Sequence, residues 1–348
     1  MDNYIISKIY PGDKRSNRLI DELLDAEGIR RDRNLDYTCG IFDEEYRLLA
    51  TGSCYRNTLR CLAVSGMHQG EGLMNQIVTH LMEVQFDKGN SHIFLYTKPS
   101  TARFFSDLGF YEIVNIADKV VFMENKKQGF KDYLKGLSQN KKEGKRVASI
   151  VLNANPFTLG HLYLVEKAAA ENDVLHLFMV SEDVSLIPFP VRKKLIMEGT
   201  AHLSNICYHE SGPYIVSNAT FPSYFQKDNQ AVIESHAMLD VNIFIKIAAS
   251  LGITRRYVGE EPTSQVTAIY NHIMEENLPK AGVEFTIIPR KEANGIVISA
   301  STVRKLIHEG DFSSLADYLP ESSLNFFQSE EAVPVIERIR NAEQVIHY

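Results

Sequence analysis

The sequence predicts an α/β protein in two parts: an α+β domain over residues 1–125, then a doubly wound, mostly parallel sheet over 147–348. Three observations carry this. Residues 37–42, 47–55 and 59–64 are three successive strand-like runs parted by polar turns. Beyond residue 147, short β-branched apolar runs alternate with stretches of helical period, the pattern of a parallel sheet with crossover helices. Between the two lies a basic linker, 126–146, carrying seven lysines and Arg146.

In the first part, 4–9 reads as a strand. Residues 16–27 read as a helix with Ser16 as N-cap and Gly28 as stop. After the three strands come Gly70 and Gly72, then a helix bearing Leu73, Ile77, Leu81 and Val84. A strand at 92–97, a helix at 100–107 and closing strands over 111–124 complete it. A glycine turn that opens a helix points backbone N–H groups at an anion. In the linker, Phe130, Tyr133, Leu134 and Leu137 recur at helical spacing. The basic run there reads as a solvated face or as a docking surface for an acidic partner.

In the second part, 147–152 and 174–180 are continuous apolar strands, with shorter ones at 206–209, 214–216, 256–258 and 284–288. Helices follow at 191–199, 239–251 and 266–274. The stretch Asn153-Ala154-Asn155-Pro156-Phe157-Thr158-Leu159-Gly160-His161 joins the first strand to its helix. Strand, Pro/Gly turn and helix aim a helix N-terminus at phosphate. Thr158 and His161, three apart, share a face of the first turn. Ser299 and Ser301 offer N-cap hydroxyls to a later helix, and Arg304 offers a fork for phosphate oxygens. Taken alone, those serines are better explained as an ordinary helix cap. Arg192 reads either as a phosphate ligand or as an exposed helix charge. Ligands of such sheets lie beyond the carboxyl ends of the strands, where Thr158, His161, Gly259, Glu260 and Ser299 all fall.

Composition narrows the classes further. Of 348 residues 44% are hydrophobic and 23% charged, with a net charge of −7, so a broad nucleic-acid-binding face is excluded. Cys39, Cys54, Cys61 and Cys207 show no C-x-x-C spacing, which excludes a disulfide framework and a zinc site. No apolar run approaches ~18 residues and no leader pattern opens the chain, so no membrane association and a cytoplasmic location are expected.

The stretches Thr158–His161 and Ile298–Arg304 resemble the [T/H]-x-G-H and I-S-[ST]-[ST]-x-x-R motifs of the nucleotidylyltransferase superfamily, whose sheet is Rossmann-like. Thr158 stands where many members carry His. Residues 95–98, 103–105 and 108–111 resemble the late strand and helix of the GCN5-related N-acetyltransferase (GNAT) fold. Gly70 and Gly72 match its coenzyme A turn, whereas Met67 replaces the usual Gln or Arg. The strings 153–161, 180–183, 219–225, 239–240, 257–262 and 298–301 together resemble the citrate lyase ligase family along essentially the whole chain.

That resemblance implies an AMP-forming acid–thiol ligase using ATP with Mg2+. Its partners would be acetate and the citrate lyase acyl-carrier subunit with its phosphopantetheine-type prosthetic group. It implies Thr158, His161 and Arg304 as catalytic residues. It further implies Asn155, Phe157, Gly160, Arg192, Gly259, Glu260, Ser299 and Ser301 as nucleotide-binding, and Gly70 and Gly72 as holding a coenzyme A-like arm. No side-chain metal ligands are expected. Two other readings stay open: a nucleotidyltransferase acting on a phosphopantetheine-type precursor with a fused acetyltransferase, and a non-catalytic carrier-binding module. The presence of Thr158, His161 and Arg304 counts against the second of these.

Overall fold

The computed structural model describes residues 4–32, 34–182, 185–215, 229–260, 265–293 and 296–343. The expected strings therefore lie outside it at 183, 219–225 and 261–262. Two units divide the chain: Met1–Asp132 with Phe221–Leu239, and Tyr133–Thr220 with Asp240–Tyr348.

The first unit is one seven-stranded sheet with helices against it. Its elements are β1 (Ile5–Lys8), α1 (Lys14–Ala26), β2 (Tyr37–Phe42), β3 (Leu48–Tyr55), β4 (Thr58–Val64), α2 (Leu73–Asp87), β5 (Phe94–Thr97), α3 (Pro99–Asp107), β6 (Tyr111–Ile116) and β7 (Val120–Glu124). The strand order is β1-β2-β3-β4-β5-β7-β6. All pairings are antiparallel except β4 with β5, which meet only at Thr58–Phe94 and Leu59–Leu95 and then part. This is the GNAT-like α+β arrangement.

Where β4 and β5 part, a cavity of about 520 Å³ opens, lined among others by Leu62, Val64, Tyr96, Thr97, Gly70 and Gly72. Gly70 and Gly72 hold φ of +91° and +78°, which L side chains rarely adopt. Gly72 is the N-cap of α2, and no side chain caps that helix, so its first N–H groups are left to the cavity side of the turn. The cap expected at Ser16 is instead Asp13, whose carboxylate accepts from the Ser16 N–H at 3.1 Å. Ser16 is buried one turn in, with its hydroxyl 2.9 Å from that of Tyr46.

In the second unit β8 (Val147–Leu152), β9 (Val174–Met179), β10 (Ile206–Glu210), β11 (Arg255–Gly259) and β12 (Glu284–Ile288) form a sheet ordered β10-β9-β8-β11-β12, every pairing parallel. The direction of winding reverses between β8 and β11. Those strands pair only at Ala148–Arg255 and Ser149–Arg256, so their carboxyl ends stand apart. This is the Rossmann-like doubly wound fold, with its crevice at the switch point. The helices are α4 (Gly129–Ser138, across the division of the units), α5 (Leu159–Glu171), α6 (Phe189–Gly199), α7 (Asn229–Leu251), α8 (Gln265–Asn277), α9 (Ala300–Glu309), α10 (Glu321–Phe327) and α11 (Val333–Arg340). A two-residue hairpin, β13 (Glu292–Ala293) and β14 (Ile296–Val297), precedes α9. Among the described residues no helix is long and apolar enough to cross a membrane.

Alternation along the buried strands sorts the core. Leu175, Leu177 and Met179 of β9 join Ile150, Leu164, Val303, Phe326 and Ile339 in one cluster. His176, on the other face, is fully buried with Nδ1 2.8 Å from His209 Nε2. Three expectations need correction. Helix α7 starts at Asn229, ten residues early, because the mixed run around it buries Ser235, His236 and Ala237. Tyr214 and Ile215 form a turn and no strand, with Tyr214 packed 4.8 Å from the Tyr133 ring; Val216 is outside the described residues. The short helices α10 and α11 were not expected at all, since seven or eight residues give too little periodicity to read.

Gly52 of β3 has no room for a side chain. A Cβ there would stand 2.5 Å from Ile77 Cγ2 and 2.9 Å from Leu62 and Leu81. Gly52→Val should therefore push α2 off the sheet and destabilise the first unit by about 1–3 kcal/mol, the usual scale of overpacking. Urea unfolding followed by circular dichroism measures this, and an unmoved midpoint would show that α2 yields freely.

Candidate active site

The site is built where the loop 153–158 leaves β8 and enters α5. Thr158 is the N-cap: its hydroxyl oxygen accepts from the His161 N–H at 3.3 Å. In return His161 Nδ1 accepts from the Thr158 N–H at 3.1 Å and lies 2.9 Å from the Thr158 hydroxyl. This is a capping box with imidazole in place of the usual Glu or Gln. Because Nδ1 is the acceptor, the proton of the neutral ring sits on Nε2. Nε2 has no protein partner among the described residues.

The second helix start is brought onto the first by glycine. A Cβ on Gly160 would lie 3.2 Å from the Ile298 carbonyl oxygen, one residue before the N-cap Ser299 of α9. Ser299 accepts from the Thr302 N–H at 3.0 Å and lies 2.8 Å from the hydroxyls of both Ser301 and Thr302. Arg304, one turn into α9 and 3% exposed, donates from Nη1 to the Asn155 carbonyl at 2.6 Å. Leu159 N–H donates to Tyr318 O, and Ser323 donates to Phe157 O. Two helix N-termini thus face one crevice, each with its positive dipole end outward.

A family model described as the citrate lyase ligase C-terminal domain matches residues 147–327, from the first residue of β8 to the last of α10. The [citrate [pro-3S]-lyase] ligase of Haemophilus influenzae is 38% identical over 318 residues, 89% of this chain and 94% of that protein. The chain belongs to the citrate lyase ligase family. Its relative of the same name from Klebsiella pneumoniae is 36% identical, covering 90% of this chain and 93% of that one. An acyl-CoA N-acyltransferase from Pseudomonas aeruginosa matches 36% of the chain at 11% identity and a TM-score of 0.32, with all of that chain covered.

Within this family member, several residues expected to touch nucleotide do other work. Arg192 is 1% exposed, and its donors end on the carbonyls of Ile187, Asn153, Val180 and Glu182 and on Asn153 Oδ1 at 2.8–3.0 Å. These bonds engage all three guanidinium nitrogens, so Arg192 shapes the loop. Phe157 is fully buried in the core and offers its ring to the His161 ring, with centroids 6.0 Å apart, leaving no face for adenine. Thr158 is 1% exposed with its hydroxyl 2.9 Å from His161 Nδ1, so it braces the imidazole. Arg304 is held in place by the loop as well as holding it, and burial draws its pKa down to about 10, still charged at neutral pH.

Asn155 accepts from the Ile187 N–H through Oδ1, while its buried Nδ2 has no protein partner. Gly259 ends β11 beside Leu164. Glu260 donates its N–H to Ile288 O, and its side chain is exposed. Arg290, in the loop after β12, joins the site without any motif to mark it. Its Nε donates to Glu260 O at 2.6 Å, and its charge is felt by His161. The signal that would have found it is register: Gly259 pairs with Ile288, so the residues that follow β12, Pro289 and Arg290, run beside Glu260 at the end of β11.

Burial, reinforced by the Arg290 charge, lowers the His161 pKa from 6.5 to about 4. The folded chain therefore keeps His161 neutral, whereas the unfolded chain protonates it below about 6.5. Stability is whole above that pH and is lost as pH falls towards 4. Buried His176 and His209, each also held at about 4, act in the same direction. The thermal midpoint should fall between pH 6.5 and 4, and His161→Gln should make that fall shallower. An equal fall in both proteins would show that His161 is protonated as readily in the folded chain.

Proposed function

We propose that this protein is an AMP-forming acid–thiol ligase. In this reading it acetylates the thiol of the phosphopantetheine-type prosthetic group on the citrate lyase acyl-carrier subunit, with acetate and ATP as co-substrates. The observation that carries the reading is the free Nε2–H of a neutral His161 between two helix N-termini, in a chain matching named citrate lyase ligases over about nine-tenths of its length. The carboxylate oxygen of acetate attacks the α-phosphorus. The bond to the β-phosphate bridging oxygen breaks, and pyrophosphate leaves. The carrier's sulfur then attacks the acetyl carbon, AMP departs with the mixed-anhydride oxygen, and the thiol proton passes to solvent.

Acetate is already an anion, so the first step calls for positioning and charge stabilisation and needs no base. His161 Nε2–H and the Gly160 N–H would meet phosphoryl oxygens. Ser299 and Ser301 would hold the terminal phosphates, Gly259 and Glu260 would border the nucleoside, and Arg304 and Arg290 would supply positive potential. Asn155, Phe157, Thr158 and Arg192 would position the loop. Among the described residues no three His, Cys, Asp or Glu side chains cluster to hold a metal. The crevice presents donors, which suits phosphate; magnesium would ride on the triphosphate and neutralise the departing pyrophosphate.

For the first unit, residues 1–125, we propose a clamp on the carrier's arm. Its support is the 520 Å³ cavity with Gly70 and Gly72 at one end, where a Cβ on either would meet nothing within 4 Å. An extended amide chain fits between strands whose edge groups are left unpaired by the parting of β4 and β5.

His161→Ala should lower acetate-dependent exchange of labelled pyrophosphate into ATP by roughly 10²- to 10³-fold, the scale of one lost transition-state donor. Near-normal exchange in a folded variant would remove His161 from the chemistry. No acetate-dependent exchange in the unaltered protein would point instead to a nucleotidyltransferase acting on a phosphopantetheine precursor.

Gly70→Val and Gly72→Val test the clamp. Both should slow acetylation of the carrier thiol and leave pyrophosphate exchange intact. Equal loss of both half-reactions would count against it.

A further inference from the structure

The basic segment before β8 is not explained by the adenylation crevice. Between Lys126 and Arg146 the chain carries eight basic and two acidic residues, a local +6 in a chain of −7, so the remainder carries −13. The structure turns much of this charge into a surface. In α4, Phe130 and Leu137 are buried at 7% exposure, while Lys131 and Lys135 are exposed. With Lys127 in the turn just before, they form an i, i+4, i+8 row along one edge of the helix.

Like charges at that spacing weaken a helix, and Asp132 in its first turn is the one acidic residue within α4. None of the segment's seven lysines reaches a carboxylate among the described residues. Elsewhere Lys119, Lys193, Lys194 and Lys305 each meet a glutamate. Within the first unit Glu124 accepts from the Phe130 N–H at 2.7 Å, and within the second the Tyr133 hydroxyl donates to Ser211 O at 2.9 Å. A cationic row without a carboxylate partner among the described residues, on an otherwise acidic protein, is a complement for an acidic surface.

We infer that the row Lys127, Lys131 and Lys135 docks an acidic face of the acyl-carrier subunit. The inference rests on the proposed function, in which the carrier is the one macromolecular substrate. Charges of this kind, solvated at the rim, act mainly on encounter rate and on salt dependence.

The test uses the full-length protein with Lys127, Lys131 and Lys135 all changed to Glu, beside a version with all three changed to Arg. Acetyl transfer to holo citrate lyase and acetate-dependent pyrophosphate exchange are measured from 25 to about 300 mM salt, a range over which screening becomes strong. The Glu version should raise the KM for holo citrate lyase by about tenfold at low salt and flatten its salt dependence, with exchange unchanged. The Arg version should behave as the original. An unchanged KM in the Glu version would overturn the inference, as would exchange falling in step with transfer. So would capture of a single-stranded RNA oligonucleotide by the original protein, abolished by the Glu changes while the KM stays put, since the row would then serve nucleic acid. Absence of acetate-dependent exchange in the original protein would remove the proposed function itself, and this docking with it.

Discussion

The Arg304 guanidinium on the Asn155 carbonyl is the contact on which the second unit's site depends. It ties positions 149 residues apart and fixes the helix start of α9 to the loop entering α5. Gly160 against Ile298 O allows the same approach from the other side, since a Cβ there would be tight against that carbonyl, 3.2 Å away. With Arg192 drawing the other end of the loop together through four carbonyls, the loop has little freedom left. A crevice that must act on growing charge gains from groups already in position before substrate arrives.

Electrostatically the crevice is unusual in having positive potential without a protonated histidine. Burial, with the Arg290 charge added to it, keeps the imidazole neutral, and the Thr158 N–H fixes which nitrogen carries its proton. In the proposed reaction a neutral donor would not tighten onto ground-state phosphate as an imidazolium does, and more of the interaction would develop as the phosphoryl oxygens gain charge.

Much of this was legible in the sequence, for reasons tied to particular residues. Strand–turn–helix at 147–171 and the Ser299 cap were readable because each is local: a β-branched run, a Pro/Gly turn and an N-cap hydroxyl. The parallel sheet followed from alternation, and the glycine turn at Gly70 and Gly72 from its place before an apolar helix. The burial of Arg192 and Phe157 was not legible, because their partners lie elsewhere in the chain and a charged or aromatic residue beside a motif reads as exposed to ligand. Arg290 was missed for the opposite reason: only the β11–β12 register reveals that it runs beside Glu260. Ser16 yielded its cap to Asp13, three residues away, since both supply an oxygen at nearly the right spacing and only packing against Tyr46 separates them.

The capping box at Thr158 has a consequence for anyone dissecting this enzyme. Its imidazole is at once a rivet of the scaffold, through Nδ1, and a free donor, through Nε2. Removing the ring discards both, so a truncated side chain confounds architecture with chemistry. A carboxamide one bond closer to the backbone keeps an oxygen near the Nδ1 position while falling short of where Nε2 reaches. Asparagine at residue 161 is therefore the substitution that separates the rivet from the donor.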